Sequence, residues 1–107
     1  MIVTTTEGVA GHKVVRALGQ CFGVVVRSRG LGGNIAAGLR SIVGGEIKEY
    51  TRLVEDTRRQ ALDRMIANAV AMGANAVVMM RFDSGDIGQT MNEVVAYGTA
   101  AVIEPEA

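Results

Sequence analysis

The sequence predicts an α+β fold, and three observations carry that prediction. Larger residues recur at Ile47, Tyr50, Val54, Ala61, Met65, Ala69 and Met72, steps of three and four that lay one stripe along a helix from about Glu46 to Met72. Gly73-Ala74-Asn75 then supplies a helix stop, and Ala76–Phe82 reads as a strand that is apolar almost throughout. Thr90–Ile103 follows as the longest strand, with small residues on its even positions (Val94, Ala96, Gly98, Ala100, Val102) and Tyr97 on its odd ones. The small face suits a helix lying close. The odd face, with Val95, Tyr97 and Thr99, is the expected contact between subunits.

The remaining elements follow from punctuation. Ile2–Thr6 is a short β-rich stretch, and Gly8 and Gly11 bracket a turn. Lys13–Leu18 and Phe22–Ser28 read as two strand pieces joined by a kink or bulge near Gly19 and Gly23. Gly30-Leu31-Gly32-Gly33 is a break, and Asn34 caps a short helix over Ile35–Val43 that Gly44-Gly45 ends. Asp83-Ser84-Gly85-Asp86 carries turn chemistry between the last two strands. Glu55 precedes Arg59 by four residues on the long helix, an orientation that adds a few tenths of a kcal/mol.

A chain of 107 residues is one domain, and folding buries roughly two-thirds of its unfolded surface. Hydrophobic residues make up 49% but aromatics only 4%, so the apolar mass sits in Val, Ala, Ile and Met. Such strands need covering on both sides, and one helix covers one side. A homo-oligomer is therefore expected. The single Cys21 excludes an intramolecular disulfide and argues for a reducing compartment. No apolar run approaches a bilayer span, so the expected location is cytoplasmic.

Net charge is zero but unevenly spread. Residues 1–45 hold Lys13, Arg16, Arg27, Arg29 and Arg40 against Glu7, whereas residues 73–107 hold Arg81 against Asp83, Asp86, Glu93, Glu104 and Glu106. Folding can mix these charges into an ordinary surface, or the basic front of one subunit can meet the acidic back of the next. A nucleic-acid partner is not expected, because aromatic platforms and a basic excess are lacking.

No constellation names a reaction, and the chain is not expected to be an enzyme. Metal binding needs three or four soft or imidazole ligands, and this chain offers His12 and Cys21 alone. Copies of His12 or Cys21 around an oligomer axis could still converge into a metal site that one chain does not encode. The glycine-rich segment Gly30–Asn34 fails as a dinucleotide or P-loop fingerprint. It leaves a backbone cradle for a small anion or nucleotide, with Gly32, Gly33, Asn34, Arg27, Arg29 and Arg40 as contacts. Met65, Met72, Met79, Met80 and Met91 read as core filling rather than a thioether copper site.

The pieces Thr5-Thr6, Asn34-Ile35, Gly38-Leu39-Arg40-Ser41-Ile42-Val43-Gly44-Gly45, Tyr50, Arg58, Ala61, Gly73-Ala74-Asn75-Ala76-Val77-Val78 and Ala96-Tyr97-Gly98-Thr99-Ala100 occur in an order that resembles the YbjQ family of small bacterial proteins. The resemblance implies a dodecin-like β-α-β-β subunit in a homopentameric ring, with short extra strands exchanged between neighbours. That family has no assigned role beyond a heavy-metal-binding label, which no shared ligand motif explains.

Overall fold

The computed structural model describes residues 1–28 and 48–107. In chain order these form β1 (Ile2–Val3), β2 (His12–Ser28), α1 (Lys48–Ala71), β3 (Ala76–Ile87) and β4 (Met91–Pro105). The expected short helix, the glycine loop, Arg29, Arg40, and the predicted helix start at Glu46 and Ile47 lie outside the described residues.

The strands make one four-stranded mixed sheet in the order β1-β3-β4-β2. β1 runs parallel to β3, while β2 and β3 each pair antiparallel with β4. α1 lies across one face, and the core forms between them from Cys21, Val25, Ala61, Met65, Ala69, Val77, Met80, Ala96 and Ala100. The even face of β4 is thus the helix side, as its small residues predict. The helical stripe holds at Ala61, Met65 and Ala69, but Thr57 rather than Val54 continues it inward. Tyr50 and Val54 stay exposed.

Close approach of helix and sheet depends on Gly23. A methyl group there would fall inside contact distance of the Ala61 carbonyl oxygen and the Met65 amide nitrogen, and 2.7 Å from Cβ of Arg64. Gly23 therefore marks a packing point and not a break. The expected bulge near Gly19 is present, at Ala17/Gly19 with a second at Val14/Arg16, but the two expected pieces form one strand of 17 residues.

α1 ends in a Schellman motif. Gly73 has φ of 93°, its amide donates to the Val70 carbonyl at 3.0 Å, and the Ala74 amide donates to the Ala69 carbonyl at 3.1 Å. Asn75 then ties the turn to β4: its Oδ1 accepts from the Ile103 amide at 2.8 Å and its Nδ2 donates to the Ile103 carbonyl at 3.0 Å. One side chain here does the work of a strand backbone.

A second correction concerns Asp83-Ser84-Gly85-Asp86. These residues belong to β3, paired with Val95 through Asn92, and the reversal falls at Gly88-Gln89-Thr90. Polar composition misleads here because a solvated hairpin arm has no buried face to enforce alternation. β3 also bulges between Val78 and Arg81, where Met79 takes a φ of 56° and turns outward. The N-terminal segment packs beside that bulge: amides of Met79 and Met80 donate to the carbonyls of Thr6 and Thr4, each at 2.9 Å. The methionines divide, with Met65 and Met80 buried as core but Met79 and Met91 exposed, which corrects the expectation that all fill the core.

The protein is plate-like. It measures 58 × 28 × 16 Å with a radius of gyration of 17.3 Å, against about 13 Å for a compact domain of this length. Among the described residues, no helix is long and apolar enough to cross a membrane.

Candidate functional site

Strand alternation puts a second set of side chains on the sheet face away from α1. Register across β2 and β4 opposes Gln20 to Thr99, Phe22 to Tyr97, Val24 to Val95 and Val26 to Glu93. Across β4 and β3, Thr99 faces Val78, Tyr97 faces Arg81 and Val95 faces Asp83. The three expected interface residues, Val95, Tyr97 and Thr99, therefore occupy the middle of this outer face, and each is half-buried. Phe22 is 53% exposed and Val26 51% exposed beside them. Toward Ala76, Val78, Ala101 and Ile103 the same face is buried, so the open apolar area is confined to one half of the sheet.

Phe22, Val24 and Val26 were not assigned to this surface from the sequence. They alternate with Cys21, Gly23 and Val25, which face the helix, but the glycines masked that period of two.

β2 is the end strand in the sheet order, and an end strand leaves backbone groups unpaired. α1 covers two of them. The Phe22 amide donates to Oδ1 of Asn68 at 3.0 Å, and a guanidinium nitrogen of Arg64 donates to the Val24 carbonyl at 2.6 Å. Helix side chains thus replace a neighbouring strand at the centre of this edge. Sequence spacing carried no signal for it, because both residues read as ordinary solvated helix positions.

The candidate metal ligands are not brought together within one chain. His12 and Cys21 sit on the same strand, nine residues apart, a span of about 30 Å. Cys21 is fully buried, and its thiol donates weakly to the Gly98 carbonyl with 3.6 Å between sulfur and oxygen. Burial pushes its pKa up from 9.0, outweighing the backbone hydrogen bonds that pull it down. A protonated, enclosed thiol is a poor metal ligand. His12 is half-buried near the strand start, with Nδ1 3.0 Å from the Ala10 carbonyl oxygen. Among the described residues, no cluster of three or more His, Cys, Asp or Glu side chains could hold a metal ion. Of the candidate anion contacts, only Arg27 is described, and its Nε donates to the Thr57 hydroxyl at 3.2 Å. That hydroxyl in turn donates to the Leu53 carbonyl at 2.8 Å.

The fold and this sheet define a class: a small α+β module with one sheet face covered by a helix and, among the described residues, an apolar half of the other face left open. Comparison with known proteins places the chain within that class. Residues 1–104 match the family model YbjQ, described as "Putative heavy-metal-binding". A UPF0145 protein of Bradyrhizobium sp. (strain ORS 278) is 73% identical over 105 residues, covering 98% of this chain and 95% of its own. A UPF0145 protein of the archaeon Picrophilus torridus is 59% identical over 105 residues, covering 98% of this chain and 89% of its own. The chain therefore belongs to the YbjQ (UPF0145) family, and the family is not confined to bacteria, which corrects the narrower expectation. The chain is also similar in fold to a crystal structure from Pediococcus pentosaceus of a protein of unknown function in the DUF74 family. That match has a TM-score of 0.63 and 12% identity, and covers 97% of this chain and 98% of the other. None of these names carries an enzymatic activity.

Proposed function

We propose that this protein is a non-enzymatic module that works as a homo-oligomer, its copies joined through the open half of the outer sheet face. The observation that carries the reading is the row Phe22–Tyr97 with Val24, Val26 and Val95 around it, apolar and uncovered by any second layer among the described residues. Half of a 58 × 28 Å plate matches the ~800 Å² that each partner of a stable pair buries. Charge supports unlike surfaces meeting: Lys13, Arg16 and Arg27 lie on the end strand β2, and Asp83 and Asp86 lie on β3 across β4 from it. The order β2-α1-β3-β4 is consistent with the β-α-β-β subunit that the family resemblance implies, and the proposed assembly is the ring of five implied by that same resemblance. Light scattering of wild type and of Tyr97→Asp tests it. The substitution should lower the particle mass at least severalfold while the far-ultraviolet circular dichroism is kept.

A second reading takes a heavy-metal ion at sites shared between subunits, and His12 favours it. When Nδ1 donates to the Ala10 carbonyl, Nε2 keeps its lone pair for a metal. Uptake of Zn²⁺ should then fall in His12→Ala and persist in Cys21→Ala. Equal uptake by wild type and His12→Ala removes this reading. A small-anion or nucleotide site at Gly32, Gly33 and Asn34 stands as a third reading, with Arg29 and Arg40, and thermal shift against phosphate compounds tests it.

A further inference from the structure

α1 overhangs β3 along two adjoining clefts that share Arg58 and Phe82. The larger, about 240 Å³, is lined by Glu55, Arg58, Arg59, Leu62 and Phe82. The smaller, about 120 Å³, runs on past Asp83, Ser84 and Val94. The guanidinium carbon of Arg58 stands 5.3 Å from the centroid of the Phe82 ring. Stacking of this kind orients the guanidinium and leaves its in-plane N–H donors available at the ring's edge.

Among the described residues, Arg58, Arg59 and Glu55 form no ion pair. Two cations, Arg58 and Arg59, and two carboxylates, Glu55 and Asp83, thus line the joined clefts, beside the apolar surfaces of Leu62, Phe82 and Val94. A plain carboxylate ligand would gain from the arginines but meet repulsion from Glu55. A plain amine would meet the converse. A ligand carrying both charges on groups that share one carbon answers the cations and the carboxylates together, and an apolar body answers the rest.

We propose that the α1–β3 groove binds a small zwitterion of the α-amino-acid class with an apolar side chain. The carboxylate lies against the guanidinium groups of Arg58 and Arg59, the ammonium against Glu55, and the side chain on Phe82, Leu62 and Val94. The groove sits at the lower end of ligand-pocket sizes, which limits the occupant to a free amino acid rather than a peptide. This site is separate from the outer sheet face and does not rest on the assembly reading.

Calorimetric titration of the assembled protein with L-leucine and L-phenylalanine tests the proposal, alongside N-acetyl-L-leucine, which lacks the ammonium, and L-leucinamide, which lacks the carboxylate. At least one free amino acid should bind saturably, and both leucine analogues at least about tenfold more weakly than leucine. Arg58→Lys, which keeps the charge and loses the fork, should weaken leucine binding about tenfold without changing the melting temperature. Glu55→Gln should weaken leucine and tighten the N-acetyl analogue, which is relieved of a repulsion. Absence of binding by both amino acids, equal affinity for the N-acetyl analogue, or indifference to both substitutions would overturn the assignment.

Discussion

Individual residues in this protein are held to narrow tolerances, and Gly23 and Asn75 show two different reasons. At Gly23 the constraint is space, because the helix backbone at Ala61 and Met65 occupies the position of a Cβ. Gly23→Ala should destabilise the fold by about 1–3 kcal/mol, the usual range for overpacking, as read by urea denaturation. At Asn75 the constraint is hydrogen bonding. Asn75→Ala leaves both the amide and the carbonyl of Ile103 without their side-chain partner, and a loss of about 1–3 kcal/mol is expected in the same measurement. Cys21 adds a pH dependence with a definite sign. Its pKa is raised in the folded state, so the folded chain holds the thiol proton more tightly than the unfolded chain. That contribution is complete below the unfolded value of 9.0 and is lost as pH rises above it. Stability should decline on the alkaline side, and Cys21→Ala should remove that part of the slope.

The elements differ in how plainly the sequence announces them. α1 and its stop were legible because the 3.6-residue period, the Schellman glycine and the cap partner all agree at Ala61, Met65, Ala69 and Gly73. β4 was legible because its small and large faces are distinct. β2 was obscured, since Gly19 sits at a bulge and Gly23 at a packing point, and both look like breaks in one dimension. The β3–β4 arm was obscured for the opposite reason: with both faces wet, Asp83–Asp86 carries no pattern of burial. Asn68 and Arg64 were wholly hidden, because their partners on β2 stand more than forty residues away or close to it in sequence. Removing both, in Arg64→Ala/Asn68→Ala, exposes the centre of the β2 edge. The expected outcome is a rise in concentration-dependent light scattering with little change in helix content.

At the scale of the whole molecule, shape decides the argument. A chain of this length folded around a closed core has a radius of gyration of about 13 Å, and this one has 17.3 Å. The excess comes from two long strands spread in a thin plate with α1 on one side only. Small side chains such as Ala96, Ala100 and Gly98 bring helix and sheet together but bury little area each, so the monomer's core is thin. The apolar residues that would enlarge it, Phe22, Val24, Val26 and Val95, point the other way. Of the candidate site, the β4 half was readable as the face opposite the small residues, whereas the β2 half required the register with β4. The family to which the chain belongs has members in bacteria and archaea, and the names of those relatives leave its role to be settled by such surfaces.

Native mass spectrometry at micromolar concentration addresses the central claim most directly. The account predicts a particle that is an integral multiple of the 11.2 kDa chain, at five copies, and its dissociation by Tyr97→Asp. A wild-type particle at the mass of a single chain, folded and soluble with Phe22 and Tyr97 exposed to water, would contradict it.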